Sequence, residues 1–598
     1  MIRRVAGWQS ARFPILVVML CCAGWGQTQT PTKREAKPAA SATHYEITGV
    51  VVNSVSGDHV PHCHLTVSLT GRGGSGGFGN RQFPAQANGF DCDAEGHFSV
   101  TVPSAGSWRL TASARGFVSQ AFDEHQSYSS AIVLTAEAPT KDLEFRLSPE
   151  ASIIGVVLDD AGEPVRNAQV SLLTVPPPVP GGPQPAGNSR AVARTDDRGM
   201  YELPNLGPGD YRLTVHAQPW YAVQGNRSSD GEVSALDPSL DFAYPTTWFP
   251  GVSDSALAET ISLHAGDTRQ ADFHLVPIPS IHLRMIVPPR VNTGPNTAQQ
   301  SPSFPMVQPI SSGAGVQGFV QVSTHYDAQQ NQVDIGGLTP GLYQVRMSGP
   351  NPDSRVAVVE INANSARTLD LNTASRDMAR ITLRFDGLGD SDSDSNTRPE
   401  RNGGVQVTLI DTDTHRGIFS SNSNEGGGGP MQRRDQRDPN AERTIDVPPG
   451  RYEVVLQGRP NIFLKGLTAK GAEVAGRYVT VGAGESTLTM HVASGRARLT
   501  GIATLDDKPA VGAMVLLVPV TIEDPNSITM LRQDQTNTDG SFDLENVIPG
   551  QYILIAIDHG WQINWGDRTT LRRYLMGGIP VDLKSSAVVK QNITAEAP

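Results

Sequence analysis

One short pattern constrains this chain more than any other: a glycine, any residue, then an aromatic that opens an alternating run, repeated five times along 598 residues. The copies are Gly106-Ser-Trp108-Arg-Leu110, Gly209-Asp-Tyr211-Arg-Leu213, Gly341-Leu-Tyr343-Gln-Val345, Gly450-Arg-Tyr452-Glu-Val454 and Gly550-Gln-Tyr552-Ile-Leu554. Four have proline directly before the glycine, and successive glycines lie 103, 132, 109 and 100 residues apart. That spacing is the size of one β-sandwich domain, so five tandem modules follow.

Proline presets one backbone dihedral and glycine accepts a positive one, so each pattern reads as a tight turn between two strands. Runs such as Phe98-Ser-Val100-Thr-Val102, Tyr201-Glu-Leu203 and Phe542-Asp-Leu544 precede it with the period of half-buried strands. The period turns Trp108, Tyr211, Tyr343, Tyr452 and Tyr552 inward. Upstream, Asp93-Ala-Glu-Gly96, Asp196-Asp-Arg-Gly199 and Asn537-Thr-Asp-Gly540 are hairpin signals. An apolar share of 38% is too high for a disordered chain, and 60 Gly with 44 Pro suit strands and turns rather than helices.

The expected fold is therefore all-β, a string of about five small antiparallel β-sandwich modules at residues 45–149, 150–277, 278–375, 376–493 and 494–598, following a linker at 27–44. Modules that touch only their chain neighbours make an elongated molecule. Polar, acidic or Gly-rich stretches at 176–187, 292–308, 386–396 and 420–437 cannot bury a core and are expected as mobile loops.

Residues 1–26 have the parts of a secretory signal: Arg3, Arg4 and Arg12, an apolar run over 13–22, then Gly24 and Gly26 before Gln27. No later stretch is apolar and long enough to span a membrane as a helix. Export to the periplasm, cell surface or medium makes a Cys63–Cys92 disulfide expected, with Cys63 at the place of Ala168 and Ala513, and Cys92 at that of Thr195 and Thr536. A net charge of −12 repels phosphate backbones, which argues against nucleic acid as a partner.

The run Ser152-Ile-Ile-Gly155-Val-Val-Leu-Asp-Asp-Ala-Gly162-Glu-Pro164, with Thr195-Asp-Asp-Arg-Gly199-Met-Tyr201 and Leu206-Gly-Pro208-Gly209-Asp-Tyr211, resembles the carboxypeptidase regulatory-like domain. The last module repeats the resemblance through Thr538-Asp539-Gly540-Ser-Phe542 and Ile548-Pro549-Gly550-Gln-Tyr552; the first does so with Trp108 for Tyr, and the third and fourth only at the turn. The resemblance implies a transthyretin-like sandwich, grouped with carbohydrate-binding-like folds, in a bacterial cell-envelope or extracellular setting. Its members are accessory domains, so it implies no catalytic residue.

The residues agree. No His-Glu-x-x-His occurs among the 14 histidines, and Gly73-Gly-Ser75-Gly-Gly77 matches a nucleophile elbow only by composition. Asp390-Ser-Asp392-Ser-Asp394 lacks the glycine and glutamate of a calcium loop, with Ser395 and Arg401 in their places. His59, His62, Cys63 and His64 form the densest group of ligand-type side chains, with His62 and His64 on one strand face; solvated histidines beside a disulfide are the preferred reading. No enzyme activity, metal or cofactor is expected.

The aromatics Trp220 and Tyr221, Trp248 and Phe249, and Trp561 with Trp565 are candidate glycan contacts, since exposed rings stack on sugars; the alternative is that they complete cores. Two functions follow. The first is binding of a polysaccharide or cell-wall glycan; the second is a structural or assembly role in the envelope, engaging another protein through sheet edges or loops. Oligomeric state is left open.

Overall fold

The structure, a computed structural model, describes residues 44–598 apart from 71–87, 126–127, 176–188, 223–239, 255–256, 287–304, 311–321, 328–329, 331, 348–355, 363, 367, 372–376, 388–404, 413–416, 420–441, 458–460, 523–526 and 564–567. The leader and most of the linker lie outside the described residues, as do Gly73–Gly77, Asp390–Asp394 and Trp565.

The alternating runs become strands, and the buried apolar residues gather in clusters that span Ile47 to Leu147, Ala151 to Leu275, Ile281 to Leu371, Ala379 to Val492 and Ala497 to Ala595. Each cluster lies between two sheets. In the first module, Tyr45–Asn53 is flanked by His97–Val102 and Thr140–Leu147, and the facing sheet runs Asn88–Asp91, His64–Leu69, Gly106–Ser113. The other first strands, Ala151–Asp159, Ile281–Ile286, Ala379–Asp386 and Ala497–Leu505, hold the same central place.

Two expectations change here. The modules are not wholly antiparallel, because in all five the first strand pairs in parallel with the last: Tyr45–Asn53 with Thr140–Leu147, Ala151–Asp159 with Thr268–Gln270 and Phe273–Leu275, and so on down the chain. Nor are the glycine turns hairpins. The strands before and after Asp196-Asp-Arg-Gly199 belong to different sheets, as do those on either side of Pro208-Gly209, so both turns are arches that cross the sandwich. A period of two says which side chains face inward and nothing about which sheet a strand joins.

At the second arch the aromatics do two jobs. Trp108, Tyr211, Tyr343, Tyr452 and Tyr552 are all buried. Each also donates to the carbonyl four residues upstream: Tyr211 Oη to Gly207 O at 2.9 Å, Tyr343 to Thr339 O at 2.8 Å, Tyr452 to Pro448 O at 2.6 Å, Tyr552 to Ile548 O, and Trp108 Nε1 to Ser104 O at 3.2 Å. This is the tyrosine corner of β-sandwiches: the ring anchors the core and its polar tip satisfies the backbone of the crossing.

Cys63 and Cys92 form a disulfide, with Cα atoms 5.1 Å apart. Threonine hydroxyls take its place in two other modules. Thr195 Oγ1 donates to Val165 O at 2.6 Å and accepts from Ala168 N at 2.8 Å, and Thr536 Oγ1 accepts from Ala513 N at 2.8 Å while donating to Ala510 O. A covalent bond and a pair of buried hydrogen bonds thus tie the same two segments.

Of the stretches expected as loops, 305–308 belongs instead to the strand Pro305–Ile310, which pairs with Gly341–Met347. Asp386 ends the strand Ala379–Asp386. The rest of those stretches lies almost wholly outside the described residues.

Candidate protein-docking surface

The first and last modules touch. The loop between Gln120–Ala121 and Ile132–Leu134 of module one lies against the edge strand Arg532–Gln535 and the turn Asn537-Thr-Asp-Gly540 of module five. Within residues 44–598, contacts are therefore not confined to chain neighbours, contrary to the simple tandem expectation.

Ser130 Oγ donates to Thr536 O at 2.8 Å, Ala131 N to Asn537 Oδ1 at 2.9 Å, Thr538 N to Ala131 O at 3.0 Å and Val133 N to Thr538 Oγ1 at 2.9 Å. The amide of Gln535 donates to Asp123 Oδ2 at 3.1 Å and to Ser130 Oγ at 3.0 Å. Above these bonds the rings of His125 and Tyr128 stack on Trp561, with centroids 5.8 and 5.4 Å away and planes inclined by 5° and 27°. Trp561 belongs to a second apolar cluster of module five, with Met514, Leu516, Ile555, Leu571 and Tyr574, on the outer face of its sheet.

Module five differs from its sister modules at the points of contact. In modules one and two the first residue of the Asp-x-x-Gly turn closes its own turn: Asp93 Oδ1 accepts from Glu95 N and His97 N, and Asp196 Oδ1 from Arg198 N and Met200 N. Asn537 stands at that place and offers its oxygen to module one instead. Where His62 and Asn167 hold a left-handed backbone, module five has Gly512, at a φ of 74°. A Cβ there would lie 2.3 Å from Asp123 Oδ2, so glycine is what admits the carboxylate.

A second joint, between modules two and three, is electrostatic. Phe242–Ala243 pairs with Ile278–Pro279, and beside it the buried His282 has its ring nitrogens 2.6 Å from Asp334 Oδ1 and 3.0 Å from Asp241 Oδ2. Arg284 Nε donates to Asp334 Oδ2 at 2.9 Å. The hydrogen bond to Asp334 raises the His282 pKa above its ordinary value despite burial, and the nearby charges of Asp334 and Asp241 act in the same direction. Burial pushes the Asp334 carboxyl up, but the hydrogen bonds from His282 and Arg284 outweigh it and leave it below the usual range.

The signs set a window. A histidine with a raised folded pKa stabilises fully below its unfolded value of about 6.5 and loses that contribution as pH rises through the folded value. Asp334, with a depressed pKa, stabilises above an unfolded value near 4 and loses it only on acidification below that. Amide exchange at Ser280 and Gly337, whose NH groups bond Asp241 O and Ser280 Oγ, is therefore expected to be better protected at about pH 5.5 than at 8.5 after correction for intrinsic rates. His282→Gln should flatten the difference; equal protection at both pH values in the unsubstituted protein counts against the assignment.

The candidate glycan residues are scattered. Trp248 is 2% exposed and pairs with Thr214 across the sheet, while half-buried Phe249 packs edge-on against Phe273 at 5.9 Å. Trp561, 8% exposed, lies beneath module one rather than facing solvent. Among the described candidates, only the pair Trp220 and Tyr221 presents a large open ring: Trp220 is 80% exposed and meets Tyr221 edge-on at 5.7 Å.

The candidate group of His59, His62 and His64 is not assembled as a ligand set; His59 instead meets His97 edge-on, with ring centroids 5.6 Å apart. His62 lies in a turn with a φ of 54°, outside the strand His64–Leu69, so it does not share a strand face with His64. His59 Nδ1 is 2.8 Å from Glu95 O and His64 Nδ1 2.8 Å from Asp91 Oδ1. Among the described residues, no group of three or more His, Cys, Asp or Glu side chains is placed to hold a metal ion. No helix among them is long and apolar enough to cross a membrane.

Residues 152–276 match the carboxypeptidase regulatory-like domain family. No curated protein matches the chain. Among solved structures, the TIE protein of Bacillus anthracis is similar at 9% identity over 94% of this chain and 76% of its own, with a TM-score of 0.15. A minor pilin of Streptococcus agalactiae is similar at 12% identity over 42% of this chain and all of its own, with a TM-score of 0.20. The shaft pilin of Lactobacillus rhamnosus GG is similar at 9% identity over 40% and 98%, with a TM-score of 0.17. Scores this low carry no argument about function, and the fold rests on the strands and registers above.

Proposed function

We propose that this chain is an exported, non-enzymatic structural or assembly protein of the cell envelope, built of five modules with the boundaries 45–149, 150–277, 278–375, 376–493 and 494–598, that engages another protein through its sheet edges. The first and fifth modules are, in this reading, divergent copies of the domain matched at 152–276. The Cys63–Cys92 disulfide supports an oxidising, extracytoplasmic location.

One observation carries the proposal. The strand that module five turns toward module one, Arg532–Gln535, has its counterpart in module two at Ser189–Arg194, the outermost strand of its sheet. No other described strand pairs with its outer side, and Val192 on it is 53% exposed. A sheet edge with no described strand on its outer side and an exposed β-branched side chain is a template for strand addition.

A photo-crosslinking residue at position 192 of the full chain, in cells, is expected to trap one envelope protein that the same residue at buried position 170 does not. Equal labelling from both positions speaks against an edge-specific partner. A second reading, glycan contact, keeps support from the open Trp220 and Tyr221 pair. A saturable change in tryptophan fluorescence on titrating a soluble polysaccharide, lost in Trp220→Ala, would favour it over the first.

A further inference from the structure

We propose that the surfaces joining modules one and five within a chain also join module one of one copy to module five of another, so that a second copy of this chain is a partner. The proposal rests on the assembly reading and names one occupant for it. The two surfaces are different and complementary, which makes the contact heterologous; between chains it either repeats head to tail or is exchanged reciprocally in a closed, domain-swapped pair.

Neither module needs the contact to complete the core between its sheets. The cluster from Ile47 to Leu147 contains no residue of module five, and that from Ala497 to Ala595 none of module one. What joins them is a set of hydrogen bonds to main-chain and side-chain groups, with the rings of His125 and Tyr128 over one indole, the composition of an interface between separately folded bodies rather than of a divided core. The three intervening modules, residues 150–493, separate modules one and five in sequence. The same bonds form in either arrangement, so the balance is set by the effective concentration that those intervening modules impose.

Module five also carries adaptations that its own fold does not require. Gly512 clears space for Asp123, and Asn537 leaves the turn bond that Asp93 and Asp196 make and takes up Ala131 N. Both changes serve a docked module one, whichever chain supplies it.

The test uses two full-chain variants, each with one surface blocked. Ser130 and Thr538 are both buried at the contact, so Ser130→Arg spoils the module-one face and Thr538→Arg the module-five face. Neither variant can dock with itself, in one chain or between chains, but an equimolar mixture pairs an intact module one with an intact module five. Each alone is expected to sediment as a monomer, and the mixture at about 100 μM each as a species of twice the mass, the concentration at which a contact of comparable dissociation constant is substantially formed.

A mixture that sediments as monomers, with both variants folded by circular dichroism, overturns the proposal. It would leave the cross-link from position 192 untouched, so the two readings fail separately. Should either arginine unfold its module, Tyr128→Glu and Gln535→Glu repeat the design, the second setting a carboxylate against Asp123.

Discussion

Gly155→Ala is expected to unfold the module matched at 152–276, while Gly207→Ala in the same module is expected to change little. A Cβ on Gly155 would lie 2.0 Å from the carbonyl oxygen of Ala271 and 2.9 Å from the Tyr201 ring, whereas one on Gly207 meets nothing within 4 Å. The obstacle is main chain and cannot swing aside. Ala271 N donates to Ile154 O at 2.8 Å, Asp272 Oδ1 accepts from Val156 N at 2.9 Å, and Tyr201 Oη donates to Ala271 O, so moving that carbonyl breaks the parallel closure of the sheet. A cost above about 4 kcal/mol is expected, a large part of the roughly 5–15 kcal/mol that holds a domain together. A Cβ on Gly49 would lie 2.0 Å from Leu143 O and one on Gly501 1.8 Å from Gln591 O, so the same substitution should act alike in modules one and five. Amide exchange along Gln169–Thr174 reads the local effect; protection surviving in Gly155→Ala at the level of Gly207→Ala would refute the close approach.

That glycine illustrates what could and could not be read beforehand. Thr48-Gly49, Ile154-Gly155 and Thr500-Gly501 stand out in the sequence as a shared opening, but the reason for glycine lies in the closing segment of each module, about 90 to 120 residues away, and no local pattern reports it. The five aromatics were legible as buried because alternation fixes facing. Their hydrogen bonds were not foreseen, although Tyr at four of five places, where Phe would fill the core as well, is a signal for a polar role.

The docking surface shows the same division. His62, Asn167 and Gly512 occupy one position in three modules, as do Asp93, Asp196 and Asn537, so the departures in module five are visible on aligning the repeats. They acquire a meaning only when Asp123 and Ala131 are seen beside them. Trp561 offered no such comparison. An aromatic outside the repeated pattern has no partner module to set its facing, and its contact with Tyr128 bridges more than 400 residues of chain.

Glu453→Ala is expected to destabilise module four by about 3–5 kcal/mol, because it strands a charge rather than because the ion pair is strong. Glu453 lies on the strand Gly450–Gln457 and Arg477 in the turn just before its partner strand Tyr478–Val481, with Arg477 Nη2 2.5 Å from Glu453 Oε1 and both side chains less than a tenth exposed. Arg477 Nε is buried without a hydrogen-bond partner, so the guanidinium already relies on the carboxylate and on the Tyr478 ring, whose centroid lies 5.5 Å from it. Removing the carboxylate leaves a desolvated cation that cannot neutralise itself, since arginine keeps its proton. Replacing both partners separates this from simple loss of attraction: Glu453→Leu with Arg477→Met returns two apolar side chains of similar volume to a site that excludes water, and should restore most of the stability. Protection of the amides in Ala379–Asp386, the central strand of the same module, gives a local measure in a chain whose modules need not unfold together. If the single and double variants lose protection equally, the energy resides in packing around Glu453 and not in the burial of an unpaired charge.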